Sequence, residues 1–220
     1  MNSIIFDLDG TLLDSMPMWS SIDRRFLTEL GIDPPADITE RIKAMTVPQA
    51  GEYFIRRFSL DLTPEQVTER VGALAARAYR EELPLKPGAE AFLREARRRG
   101  IPCALASITY PELLDAALKR LGIAQYFQAI VTPADGFSGK QDPAIYLHTA
   151  RLLHTAPQET LVCEDAVYAA KTARDAGFPV LGILDPEAEA EWDRMREICG
   201  ITAKSWTELL TGQIFQIFSE

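Results

Sequence analysis

Residues 3–15 read SIIFDLDGTLLDS, and this stretch decides the fold. Its first four residues, Ser3–Phe6, form a short apolar run rich in β-branched side chains, which is typical of a buried strand. Asp7 and Asp9 follow and flank Leu8. Because side chains alternate along a strand, we expect both carboxylates on one side, with Leu8 pointing into the core.

Similar apolar runs recur along the chain and predict further buried strands at Pro102–Ala106, Ala129–Val131, Thr160–Cys163 and Pro179–Leu184. Helical patterns separate these runs, at Gly88–Arg99, Pro111–Leu121, Pro143–Leu153 and Ala166–Ala176. Strands that alternate with helices predict an α/β fold, with a Rossmann-like parallel sheet core and helices on both faces.

Residues 16–82 break this alternation and contain helical patterns alone, at Trp19–Leu30, Pro48–Phe58 and Pro64–Leu83. The segment LPLKPG, residues 83–88, has the composition of a return linker. We therefore predict two domains. Residues 1–15 and 83–220 form the α/β catalytic core, and residues 16–82 form an inserted all-helical cap domain.

The composition and charge of the chain argue against nucleic acid as a partner and favour a cytoplasmic location. A formal net charge of -9 argues against nucleic acid, although a lysine, a metal ion and backbone N–H groups can still bind a small anion locally. The N-terminus does not have the pattern of a signal peptide, and no apolar run approaches the ~20 residues that span a membrane. The three cysteines form no CxxC pair, so we expect reduced thiols, a cytoplasmic location, and a monomer or weak homodimer.

The turn after the first strand is the first candidate site. Gly10 and Thr11 predict a tight turn whose N–H groups are free to bind phosphate oxygens. Aspartate and glycine are also common in ordinary turns, so the short string DLDG alone is not specific. The longer string FDLDGTLLDS, residues 6–15, resembles the first motif of the haloacid dehalogenase superfamily of phosphohydrolases.

Three later segments resemble the remaining motifs of that superfamily, in the same order. Ser107 follows the strand PCALA, Lys140 lies in GKQDPAIY, and Glu164 and Asp165 lie in LVCEDAVYAAKTARDAG. Taken singly, Ser107 is equally well explained as a helix cap, Lys140 as a solvated charge, and the acidic pair as the start of a helix. Four motifs in the right order favour the resemblance.

The resemblance implies a magnesium-dependent phosphatase that acts on a small phosphorylated metabolite, such as a sugar phosphate. Asp7 is then the nucleophile that forms an aspartyl-phosphate, and Asp9 is the acid and base. Mg²⁺ prefers oxygen ligands, which the Asp7 and Asp165 side chains supply, with the Asp9 carbonyl as a further ligand. Glu164 is expected to orient these ligands or to contact the metal through a water molecule. The expected phosphate-binding residues are Gly10, Thr11, Ser107, Ile108 and Lys140.

The helical insert resembles the cap of the beta-phosphoglucomutase-like branch. Mutases of that branch carry a His where this chain has Trp19, and an Arg near the position of Val47, so hydrolysis is favoured over mutase chemistry. Trp19 is a candidate wall of the substrate site, or equally a packing aromatic. A phosphomutase and a non-catalytic binding protein with the same fold remain the alternatives. Ala166 and Ala169 replace the usual Ser and Gly of the fourth motif, which predicts altered fine geometry.

Overall fold

The computed structural model describes residues 1–42, 45, 47–212 and 214–218, without the side chains of Glu40, Val47 and Pro48. The comparison of Val47 with the mutase arginine therefore falls outside the described side chains. The chain divides into two compact units. One comprises Met1–Met16 with Leu83–Glu220, and the other is Pro17–Glu82.

The first unit contains a sheet of six parallel strands in the order β3-β2-β1-β4-β5-β6. The strands are β1 (Ser3–Phe6), β2 (Cys103–Ala106), β3 (Ala129–Val131), β4 (Thr160–Glu164), β5 (Val180–Ile183) and β6 (Ile201–Ala203). β1 lies in the middle, with β2 on one side and β4 on the other. The chain therefore changes direction beside β1, and ligands bind at such switch points, outside the carboxyl ends of the strands.

The described α-helices are, in chain order, α1 (Met16–Trp19), α2 (Ile22–Glu29), α3 (Ile38–Ile42), α4 (Val47–Phe58), α5 (Pro64–Glu81), α6 (Ala89–Arg98), α7 (Pro111–Leu121), α8 (Ala144–Leu152), α9 (Val167–Asp175), α10 (Trp192–Ile198) and α11 (Trp206–Thr211). Short 3₁₀ helices occupy Ala124–Tyr126, Pro133–Asp135, Pro157–Glu159, Pro186–Glu191 and Ile214–Phe218. None of the helices in the described ranges combines the length and the apolar character that a membrane crossing requires.

Helices cover both faces of the sheet, and β1 shows this directly. Ile5 belongs to a buried cluster with Ile145 of α8 and Ala170 of α9. Phe6 packs on the other side, with its ring centroid 6.2 Å from Phe92 of α6 and 5.6 Å from Trp206 of α11. A strand that is buried on both faces has a nearly continuous run of apolar residues, which is why the segment SIIF could be predicted as a strand.

The predicted α/β fold with a parallel sheet and an inserted helical segment is confirmed. The sequence pattern missed β6, which has three residues, two of them half-buried, and which pairs in parallel with β5. It also missed α10 and α11. The helix expected at Trp19–Leu30 begins earlier, as α1, and is interrupted before α2.

The second unit has a hydrophobic core of its own, built from Phe26, Leu27, Ile38, Phe54, Val67 and Leu74. Its longest helix, α5, begins with a capping box. The Thr63 hydroxyl accepts a hydrogen bond from the Gln66 N–H at 3.3 Å, and the Gln66 side chain accepts one from the Thr63 N–H at 2.8 Å. The cap satisfies N–H groups that the first helical turn leaves unpaired, so it fixes where α5 begins.

The segments of the first unit that lead into and out of the helical insert are hydrogen-bonded to each other. The Asp14 N–H donates to the Pro84 carbonyl at 2.9 Å, and the Lys86 N–H donates to the Leu12 carbonyl at 2.9 Å. Lys86 is buried, and its ammonium donates to Asp185 Oδ2 at 2.7 Å. The return linker is therefore anchored to the segment after β1 and to Asp185, two residues after the end of β5.

Candidate active site

Three carboxylates meet where β1 and β4 end. Asp7 follows β1, Glu164 is the last residue of β4, and Asp165 comes next. The Asp7 N–H continues the β1–β4 ladder by donating to the Cys163 carbonyl at 3.0 Å. One ligand oxygen from each of the three side chains lies within 4.8 Å of the others. The parallel register therefore brings together residues more than 150 positions apart in the sequence.

Lys140 reaches this cluster from the loop before α8 and is 2% exposed. Its ammonium donates to Asp7 Oδ1 and, at 2.7 Å, to Glu164 Oε1. The same Glu164 oxygen accepts a hydrogen bond from the Tyr146 hydroxyl at 2.6 Å. Tyr146 lies in α8 and is fully buried. Lys140 therefore joins the Asp7 and Glu164 carboxylates, while Tyr146 fixes Glu164 from the core.

The charges in the cluster do not balance. Burial raises the pKa of Asp7 well above its usual value, although Lys140 opposes the shift. Burial and the neighbouring Glu164 raise the pKa of Asp165 to about 7. Burial alone lowers the pKa of Lys140, but Asp7 and Glu164 outweigh it and raise that pKa overall. Three buried carboxylates around one ammonium form an all-oxygen donor set that a hard divalent cation fits in both charge and ligand type.

The turn after β1 supports the acidic cluster. Gly10 has a φ of +77°, and a Cβ built on it would lie 2.1 Å from Asp165 Oδ2, so only glycine fits there. The Thr11 hydroxyl is buried and donates to Asp165 Oδ1 at 2.9 Å. The indole N–H of Trp206 donates to the Thr11 carbonyl at 2.8 Å. The turn thus positions Asp165.

One expectation about this turn differs from the structure. The sequence predicted that the Gly10 N–H is free to bind phosphate, but this N–H donates to the Leu13 carbonyl at 2.9 Å. The Thr11 hydroxyl donates to Asp165, and phosphate binding by the Thr11 N–H stays a prediction. The tight turn uses both groups to hold itself and the neighbouring carboxylate.

The loop after β2 lies beside Asp9. The Ser107 N–H continues the β2–β3 ladder by donating to the Val131 carbonyl at 3.0 Å, and Ser107 is 1% exposed. Its hydroxyl accepts a hydrogen bond from the Thr109 N–H at 3.1 Å. The Thr109 hydroxyl in turn donates to Asp9 Oδ2. Ile108, between them, is exposed.

Sequence reasoning did not assign roles to Tyr146 and Thr109. Tyr146 closes the string GKQDPAIY, and Thr109 lies two residues after Ser107, so both were within recognised motifs. Their partners, Glu164 and Asp9, lie 18 and 100 positions away, and the fold identifies both contacts. Trp19 lies in the other unit, where it is 37% exposed and its indole N–H donates to the Tyr79 hydroxyl at 3.1 Å.

The parallel sheet and the three carboxylates at its carboxyl edge define an α/β protein with an acidic site of the kind that can hold a metal ion. The chain belongs to the haloacid dehalogenase-like hydrolases, since the model of that family matches residues 1–177. The resemblance inferred from the four motifs is therefore confirmed, and so is the prediction that the protein is an enzyme of the hydrolase class.

Curated relatives and a solved structure agree with this membership. A phosphorylated carbohydrates phosphatase of Thermotoga maritima is 28% identical over 178 residues, which cover 81% of this chain and 82% of the relative. Hexitol phosphatase B of Escherichia coli is 27% identical over 210 residues, which cover 93% and 92%. A crystal structure from Thermotoga maritima, provisionally described as a beta-phosphoglucomutase, superposes with a TM-score of 0.83 at 25% identity, covering 96% of this chain and 97% of that one.

Proposed function

We propose that this hydrolase is a Mg²⁺-dependent phosphatase that releases phosphate from a small phosphorylated sugar or polyol through an aspartyl-phosphate on Asp7. The class of the enzyme, a haloacid dehalogenase-like phosphatase acting on phosphomonoesters, follows from its family and its phosphatase relatives. The observation that carries the finer proposal is the buried cluster of Asp7, Glu164 and Asp165 with Lys140 joining two of its members.

The metal would be held by side-chain oxygens of Asp7 and Asp165, with the Asp9 carbonyl as a further ligand. Glu164 already accepts hydrogen bonds from Lys140 and Tyr146, so we assign it to orienting the site or to a water-mediated contact. Bound Mg²⁺ supplies positive charge that offsets the repulsion between a carboxylate nucleophile and a phosphate dianion.

In the first chemical step, an Asp7 carboxylate oxygen attacks phosphorus while the bond from phosphorus to the ester oxygen breaks. Asp9 gives its proton to that leaving oxygen, so an alcohol departs. In the second step, Asp9 takes a proton from a water whose oxygen attacks phosphorus. The bond from Asp7 to phosphorus then breaks, inorganic phosphate is released, and both aspartates return to their starting states.

Lys140 has two functions in this proposal. Its ammonium neutralises part of the carboxylate charge before substrate binds, because it donates to Asp7 and to Glu164. It also places positive charge beside the nucleophile, where transferring phosphoryl oxygens accumulate negative charge. Ser107 and the Ile108 N–H are proposed to bind those oxygens from the loop after β2.

Two further parts of the proposal concern substrate choice. The phosphatase relatives act, by their names, on phosphorylated carbohydrates and hexitol phosphates, which supports a sugar or polyol phosphate as the substrate class here. The helical unit Pro17–Glu82 is proposed to be a cap that selects the substrate, with Trp19 as the first candidate contact.

The test is a panel of sugar and polyol phosphates incubated with Mg²⁺ and scored by released phosphate. We expect turnover with at least one member, loss of that turnover in EDTA, and its return when Mg²⁺ is restored. The Asp7→Asn protein should fold, as judged by circular dichroism, and should release no phosphate. Undiminished turnover without metal, or by Asp7→Asn, contradicts the mechanism. A strict requirement for an added sugar bisphosphate, with an isomer as the product, would indicate the mutase alternative.

A further inference from the structure

The loop after β2 is fixed to the sheet before it reaches the site. Ser107 is held by its N–H, which donates to the Val131 carbonyl at 3.0 Å. The Ser107 hydroxyl then accepts a hydrogen bond from the Thr109 N–H at 3.1 Å, which closes a short turn around Ile108. The backbone of Thr109 is therefore tied to β3 through two consecutive hydrogen bonds.

The Thr109 hydroxyl donates to Asp9 Oδ2, across 100 positions of sequence. The backbone around Asp9 is also fixed, because Asp9 and Leu13 form an isolated β-bridge and the Gly10 N–H donates to the Leu13 carbonyl at 2.9 Å. A carboxylate whose backbone is fixed and whose oxygen accepts a hydrogen bond has a restricted rotation about its side-chain bonds. The direction in which it can give a proton is then restricted as well.

From these contacts we infer that Thr109 is a positioning residue for the acid and base Asp9. This inference rests on the proposed phosphatase mechanism. In this proposal Thr109 acts through Asp9 and not on the substrate. It holds the Asp9 carboxyl in the orientation that delivers a proton to the leaving oxygen as the bond from phosphorus to that oxygen breaks, and that accepts a proton from water in the second step.

If Thr109 positions Asp9, its loss should affect substrates unequally, whereas loss of a general structural contact should affect them alike. Proton donation matters most when the leaving group is a poor one, such as the alkoxide of a sugar or polyol. It matters little for p-nitrophenyl phosphate, whose phenolate leaves without protonation. Because kcat/KM reports the steps through formation of the phosphoenzyme, loss of Asp9 orientation should lower kcat/KM for the alkyl phosphate selectively.

The experiment compares wild type, Thr109→Val, Thr109→Ser and Asp9→Asn on the best alkyl phosphate and on p-nitrophenyl phosphate. Valine keeps the shape of threonine without its hydroxyl, and serine keeps the hydroxyl. We expect Thr109→Val to lower kcat/KM by about tenfold for the alkyl phosphate and by less than about twofold for p-nitrophenyl phosphate. Thr109→Ser should stay within about twofold of wild type on both substrates.

A double variant tests whether Thr109 acts through Asp9. In the Asp9→Asn background, adding Thr109→Val should lower kcat/KM for the alkyl phosphate no further, since the group that Thr109 positions is already lost. Equal losses on both substrates, independent effects that multiply in the double variant, or a Thr109→Ser enzyme as impaired as Thr109→Val would each overturn the inference alone. A wild type that hydrolyses neither substrate contradicts the proposed function and the inference with it.

Discussion

A Cβ built on Gly10 would lie 2.1 Å from Oδ2 of Asp165, well inside van der Waals contact. The close approach arises because the turn after β1 passes directly against the carboxylate that follows β4. The backbone of Gly10 also has a φ of +77°, a conformation that side chains with a Cβ adopt at a cost of roughly 1–2 kcal/mol. Glycine at this position therefore allows the Asp165 carboxylate to lie where it does.

We expect Gly10→Ala to reduce turnover far more than it reduces stability, because the added methyl displaces the Asp165 carboxylate. Gly122→Ala is the matched control. Gly122 has a φ of +66°, and a Cβ there meets no atom of the described residues within 4 Å. Gly122→Ala introduces the same backbone strain without a clash against a carboxylate. It should therefore lower the melting temperature and leave kcat/KM near the wild-type value. Equal activity of the two variants would contradict the assignment of Asp165.

The Tyr146 hydroxyl gives a second prediction, about metal affinity. Tyr146→Phe removes the 2.6 Å hydrogen bond to Glu164 and leaves the Lys140 contact in place. Because groups behind the metal ligands commonly change affinity 10- to 100-fold, we expect about tenfold more Mg²⁺ for half-maximal activity. Saturating Mg²⁺ should restore most of kcat. Tyr126→Phe, at a half-buried tyrosine beneath Arg97, should leave the Mg²⁺ requirement unchanged.

The raised pKa of Asp165 predicts how the metal-free protein responds to pH. Its usual value of 3.8 rises to about 7 on burial, so folding takes up a proton between those values. The metal-free protein should therefore lose stability as pH rises through that window. Asp165→Asn avoids burying the charge, and its amide oxygen still accepts the hydrogen bond from Thr11. In EDTA we expect it to be more stable than wild type by on the order of 3 kcal/mol at pH 8, and little different at pH 4.

Urea unfolding at the two pH values measures this effect. Asp175→Asn is the control, since hydrogen bonds from Lys171 and Arg174 lower the pKa of the exposed Asp175. Neutralising Asp175 should not stabilise the protein at pH 8. If Asp165→Asn is less stable than wild type at pH 8 in EDTA, then excess negative charge in the site does not destabilise the metal-free protein.

Trp19 gives the prediction for substrate choice. Its indole is 37% exposed and is held by a hydrogen bond to Tyr79. If the helical unit selects the substrate, Trp19→Ala should change the ranking of sugar and polyol phosphates by kcat/KM, by on the order of tenfold between the best and worst affected. Lys140→Ala should lower kcat/KM for all substrates in similar proportion, because its proposed role is at the phosphoryl group. An unchanged ranking in Trp19→Ala would remove it as a specificity residue.

The parts of the molecule that were predictable from sequence are those with local signals. The run SIIF identifies a strand buried on both faces, and Asp7 and Asp165 lie within motifs that follow such strands. The contacts that orient the site carry no local signal. In the sequence Thr109 looks like an ordinary loop residue, and its contact with Asp9 depends on the pairing of strands in the sheet. β6 has three residues, two of them half-buried, which is too few to show an apolar pattern. Gly10 was recognised as a turn residue, but its collision with Asp165 depends on the register of β1 against β4.

The central claim is that Asp7 carries the phosphoryl group, and trapping the intermediate tests it most directly. Wild type and Asp9→Asn would be mixed with substrate and Mg²⁺, quenched within milliseconds, reduced with borohydride and digested. Borohydride converts an aspartyl-phosphate to homoserine, which mass spectrometry locates within a peptide. We predict homoserine at position 7, with more of it in Asp9→Asn if hydrolysis is slowed more than formation, and none without substrate. Phosphate release with no modification at position 7, or with modification at another aspartate, would contradict the account.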